Sequence, residues 1–160
     1  MKQDKIFTIS LTFFIFVAAV FFAWDNLKSS ESSVKKETKA QDELVIPKKG
    51  EFVQVFYFHS KARCSVCHTI ENYTKEYVDT SFKDKLKAQE MGFASFNYQE
   101  DKNKNYVKTF GIYMSTVVVA KYYDGELKTW KSLDKVWEFF DNKESFDKYL
   151  AEEFMKVIKG

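Results

Sequence analysis

The sequence predicts an α/β domain, a central mixed sheet flanked by helices, set behind a transmembrane helix and a flexible linker. Three observations carry that expectation. Apolar runs of β type at residues 51–59, 91–98 and 116–122 alternate with segments of helical periodicity, an order that only a sheet covered by helices accommodates. Asp124-Gly125 directly after the third run signals a hairpin, so part of the sheet is antiparallel. Residues 6–24 form an uncharged apolar stretch apart from the rest.

That stretch follows a short N-terminus, residues 1–5, and contains 19 residues without a charge, ending at Trp24. Its length matches the roughly 20 residues that cross a bilayer, with the Trp at the interface. A cleaved signal peptide is the alternative, but its apolar region is shorter, about 7–15 residues, and ends in small residues. Here Phe21-Phe22-Ala23 places a bulky Phe where a small residue is wanted, and no lipid-accepting cysteine follows. An uncleaved signal anchor is therefore expected. Lys2 and Lys5 on the short side orient it with the N-terminus in the cytoplasm, so a single-pass protein of the inner (cytoplasmic) membrane would hold its folded part in the periplasm. Residues 25–50, with two Ser-rich and Lys-rich tracts and the only proline, Pro47, lack apolar periodicity and read as a tether.

Residues 51–160 are long enough for one core. Formal net charge is +2 with both signs interspersed, so no nucleic-acid footprint appears. The 17 Phe and 9 Tyr, at alternating or helical spacing, read as core.

The first strand, 51–59, is almost continuously apolar, which predicts a central position buried on both faces. From Cys64 to about Val78, Ile70, Tyr73, Tyr77 and Val78 recur at helical spacing, and a second helical piece spans 81–88, with a kink or break at 79–81. A strand at 91–98 leads to a polar loop at 99–103 and a short helix at 105–110, stopped by Gly111, which accepts positive φ. The Thr-led strand at 116–122 turns through Asp124-Gly125 into 127–130. Leu133, Val136, Trp137 and Phe140, then Phe146, Tyr149, Leu150, Phe154 and Val157, read as two helices or one broken at Asp141-Asn142.

The chemistry sits between the first strand and its helix. Cys64-Ser65-Val66-Cys67 holds both cysteines of the chain at a helix N-terminus, where N–H groups and the helix dipole stabilise thiolate. Lys61 and Arg63 add positive charge there, or are ordinary solvated loop residues. Because His68 follows, the string is also a c-type haem attachment signature, with His68 and Met91, Met114 or Met155 as axial ligands. A structural disulfide, or a metal site completed by His59 and His68, are further readings; a CxxC alone does not close a zinc site.

In order and spacing, residues 52–159 resemble the thioredoxin superfamily: strand, CxxC, long helix, strand, polar loop, short helix, Phe110-Gly111-Ile112, Thr-led strand, Asp-Gly hairpin, final helix. With its anchor the chain looks like a membrane-anchored bacterial thioredoxin-like protein. The resemblance implies that Cys64 attacks, Cys67 resolves the mixed disulfide, and the two form a disulfide when oxidised. It implies no cofactor, and as partners a disulfide-bearing protein or small molecule and a membrane electron donor. It also implies that residues 113–116 lie beside the dithiol, so that Arg63, His68, Met114, Ser115 and Thr116 would line the site.

Two departures stand out. Ser115 occupies the family's cis-proline position, and because a non-proline cis bond costs roughly 3 kcal/mol, a trans bond is expected there. The carboxylate that thioredoxin buries beneath its dithiol has no counterpart in Val55-Phe56-Tyr57-Phe58. The sequence thus predicts a membrane-tethered thiol–disulfide oxidoreductase, the alternative being a binding module whose dithiol holds a metal or metalloid or is only a staple.

Overall fold

The computed structural model describes residues 44–160. Four strands form one mixed sheet in the order β2-β1-β3-β4. They are β1 (Glu51–His59), β2 (Met91–Asn97), β3 (Thr116–Tyr123) and β4 (Glu126–Ser132). β1 runs parallel to β2 and antiparallel to β3, and β4 returns antiparallel to β3 through the Asp124-Gly125 turn. The apolar run of β1 is unbroken because the strand is central. Val53, Val55 and Tyr57 enter one core layer, while Phe52, Phe56 and Phe58, on the alternate face, enter the other.

The first layer is closed by α1 (Ser65–Ser81) and α4 (Lys143–Lys159). Ile70, Tyr77 and Val78 of α1 meet Phe146, Leu150, Phe154 and Val157 of α4, with Tyr77 edge-on to Phe154 at 5.6 Å between ring centroids. The second layer is aromatic, and α3 (Lys104–Phe110) packs Phe110 against Phe56 at 5.3 Å. Gly111 ends α3 at φ +62°, the left-handed conformation expected of it. At Gly92 a Cβ would lie 2.7 Å from Gln54 Oε1, so a side chain there would require Gln54 to shift.

Differences from the expected elements are local. α1 runs to Ser81 and breaks at Phe82, after which α2 (Lys83–Lys87) follows. The polar loop contains a 3₁₀ turn, Asp101–Asn103, because Asn103 is buried and donates its Nδ2 to the Asn97 carbonyl at 2.9 Å. β4 is longer than expected, since pairing continues to Val118 opposite Ser132. After it comes a 3₁₀ turn, Asp134–Trp137, and then α4, whose first turn Asn142 caps by accepting from the Ser145 N–H at 2.9 Å. The Asp141-Asn142 break is a helix start.

The compact unit begins at Leu44 rather than at residue 51. Leu44 and Ile46 pack on the aromatic layer, and Gly50 N–H donates to Asp124 Oδ1 at 2.8 Å. Residues 44–50, expected as linker, therefore belong to the domain. The expected cytoplasmic N-terminus, the span at 6–24 and the linker up to residue 43 lie outside the described residues. Among the described residues no helix is long and apolar enough to cross a membrane.

Candidate active site

β1 delivers the chain to the turn at residues 60–63, and Cys64 is the N-cap of α1. Its backbone is extended, φ −94° and ψ 165°, and its Sγ accepts the Cys67 N–H at 3.1 Å. A sulfur thus takes the place that a Ser or Asp oxygen fills at other helix starts, at the positive end of the helix dipole. Cys64 is exposed, Cys67 is 6% exposed, and the two are joined as a disulfide with Cα atoms 5.1 Å apart.

Beneath the pair lies Tyr57, wholly buried on the central strand. Its hydroxyl donates to the Cys67 carbonyl at 2.8 Å. Burial pushes its phenol up to about 12, against an opposing pull from the Arg63 guanidinium. Arg63 is engaged by the central strand and by α1. Its guanidinium lies over the Tyr57 ring, 5.9 Å from the centroid, and is ion-paired with Glu71. Its charge is therefore matched by a carboxylate. Lys61 is exposed, and its backbone N–H donates to Gln99 Oε1 at 2.8 Å.

Phe58 pairs with Thr116 in the β1–β3 register, which brings residues 113–115 to the same end of the sheet as the cysteine turn. Tyr113 is 78% exposed and Met114 is also exposed. Ser115 is buried and its peptide is trans, no cis bond occurring among the described residues. The Ser115 carbonyl accepts Trp137 Nε1–H at 2.8 Å, and the Thr116 hydroxyl lies 3.2 Å from both Ser132 Oγ and Asp134 Oδ1. His68, one residue past Cys67, is exposed and makes no side-chain hydrogen bond among the described residues.

The surroundings are a mixed sheet, not the helical pocket that the haem reading expects. Among the described residues no group of three or more His, Cys, Asp or Glu is arranged to hold a metal ion, and His59 Nδ1 is engaged with the Ser60 carbonyl at 2.9 Å. A cavity of about 680 Å³ lies elsewhere, between β4 and α4, and is lined by Lys131, Lys135, Lys148 and Tyr149 among others. Tyr57, Glu71 and Trp137 were not singled out by sequence. Glu71 had a signal, its four-residue spacing from Cys67 on one helix face.

The domain is thus an α/β unit with a mixed four-stranded sheet and a CxxC disulfide at the start of the helix after the central strand. Among solved structures it is similar to the thioredoxin of Malassezia sympodialis (Mala s 13), described as a member of a pan-allergen family, at 14% identity over 67% of this chain and 99% of that one, with a TM-score of 0.39. It is also similar to a chain of the complex of ferredoxin:thioredoxin reductase with thioredoxin f2, at 18% identity over 60% of this chain and 78% of that one, TM-score 0.35. No family model matches the chain, and no curated protein does.

Proposed function

We propose that the chain is a membrane-tethered, extracytoplasmic thiol–disulfide oxidoreductase that acts on disulfides of proteins or small molecules. The observation that carries it is the asymmetry of the pair: Cys64 exposed at the N-cap of α1, Cys67 buried behind it. In the reduced chain the helix N-terminus favours thiolate at Cys64. That thiolate attacks one sulfur of a substrate disulfide, forming a mixed disulfide and expelling the first substrate thiolate. Cys67 then loses its proton, and its thiolate attacks Cys64 Sγ. The protein disulfide closes, the second substrate thiolate leaves, and two electrons have passed to the substrate.

Met114, Ser115 and Thr116 form the neighbouring wall of the site in this proposal, and exposed His68 and Tyr113 its rim. The uncharged span at 6–24 and the lysines before it support tethering with the domain outside the cytoplasm. A membrane electron donor fits that placement, because a dithiol in an oxidising compartment must be recharged to act as a reductant.

Reduced full chain mixed with oxidised glutathione tests the exchange. Wild type is expected to become fully oxidised, Cys67→Ser to stop at the mixed disulfide, and Cys64→Ser to react slowly. A Cys64→Ser variant as fast as wild type contradicts the assignment of the nucleophile. Labelling of reduced Cys64 in intact cells by a membrane-impermeant thiol reagent tests the placement, and protection of that thiol until the cells are lysed contradicts it.

A further inference from the structure

We propose that Arg63 and Glu71 are positioning residues, an ion pair that fastens the turn in front of Cys64 to the helix behind Cys67 and so holds the two sulfurs within bonding range. The proposal rests on the exchange reading above. Arg63 immediately precedes the exposed cysteine, and Glu71 lies one helical turn beyond the buried one. Their side chains are 23% and 16% exposed, so this is a half-buried pair rather than a solvated one. Arg63 Nε is buried without a hydrogen-bond partner, and the guanidinium is held instead through its Nη2 edge, on Glu71, and its face, on Tyr57. Tyr57 itself holds the Cys67 carbonyl. The CxxC is thus gripped from before, from behind and from beneath.

Closing a disulfide from two thiols depends on how often the sulfurs meet. A turn free to move spends much of its time with Cys64 out of reach, whereas a planar guanidinium stacked on a ring and paired with a carboxylate loses that freedom. The pair carries no net charge, and the action proposed for it is geometric. In a glutathione buffer, one glutathione thiolate attacks Cys64 Sγ and breaks the bond to Cys67, whose sulfur leaves as thiolate and takes a proton. A second glutathione thiolate attacks the glutathione sulfur of the mixed disulfide, giving oxidised glutathione and reduced Cys64. The clamp favours the reverse of the first step, attack of Cys67 on the mixed disulfide, because both sulfurs are already in place.

The test is the equilibrium constant of the full chain against reduced and oxidised glutathione, read by trapping free thiols and weighing the protein. Arg63→Gln with Glu71→Gln removes the clamp and leaves the net charge of the pair at zero. The disulfide of this double variant is expected to be weaker by about threefold or more. A double variant that folds, by circular dichroism, and keeps the wild-type constant overturns the proposal. Should it not fold, Glu71→Asp, which keeps the charge and draws the carboxylate back by one methylene, is read in the same way: a weakened disulfide supports the clamp and an unchanged one overturns it. A wild-type disulfide that glutathione does not reduce in the folded protein overturns the exchange reading, and the clamp with it.

Discussion

Tyr57 donates its hydroxyl to the backbone carbonyl of Cys67 at 2.8 Å, a bond from the central strand to the helix turn that carries the sheltered sulfur. The phenol is wholly buried, so the bond is made where water cannot replace it. Tyr57→Phe is accordingly expected to lower stability by about 1 kcal/mol, the net worth of one buried neutral hydrogen bond. Urea unfolding of the oxidised protein measures it; a variant as stable as wild type would mean the bond contributes nothing.

Alkaline pH gives a second prediction. Burial is the leading cause that pushes Tyr57, Tyr122 and Tyr149 each up to about 12, from an ordinary value of 10.0. Below pH 10 these phenols are protonated in both folded and unfolded chains, and their contribution is complete. Between pH 10 and pH 12 the unfolded chain releases protons that the folded chain keeps, so stability falls with rising pH across that window. Unfolding free energies measured from about pH 8 to about pH 12 are expected to be level first and then decline, with a shallower decline in Tyr57→Phe. A level profile to the end contradicts the burial of these phenols.

Trp137 holds the loop at the end of the sheet that also carries the cysteine turn. Its indole N–H is the donor to the buried Ser115 carbonyl, and Trp137→Phe leaves that acceptor without it. The expected cost is about 1–3 kcal/mol, with faster amide hydrogen exchange at residues 113–116 than in wild type. Exchange unchanged at those amides would show that the loop is held by something else.

How much of this was legible in the sequence differs from element to element. The central place of β1 was readable because a strand buried on both faces has no polar alternation to lose, and Phe52 to Phe58 has almost none. The trans peptide at Ser115 was readable from the cost of the alternative. The domain boundary was not: residues 44–50 hold only the short apolar run Leu44-Val45-Ile46 before Pro47 and two lysines, and only the aromatic layer they meet, built from residues far along the chain, makes Leu44 and Ile46 part of a core. The partners of Arg63 were hidden for a related reason. Its position beside Cys64 was plain, but the direction of a long side chain is set by tertiary contacts, here with Glu71 and Tyr57. The carboxylate missing from the strand under the dithiol has a tyrosine in its neighbourhood instead, which fixes a backbone carbonyl and stays protonated at neutral pH.

The measurement that bears most directly on the central claim is the pH dependence of alkylation of the reduced full chain, compared with Cys64→Ser and Cys67→Ser. One thiol, lost in Cys64→Ser, is expected to titrate well below the free-cysteine value of about 8.5, because its sulfur caps a helix N-terminus. Two thiols that both titrate at or above that value, with no difference between the variants, would contradict the account of Cys64 as the nucleophile of a thiol–disulfide exchange.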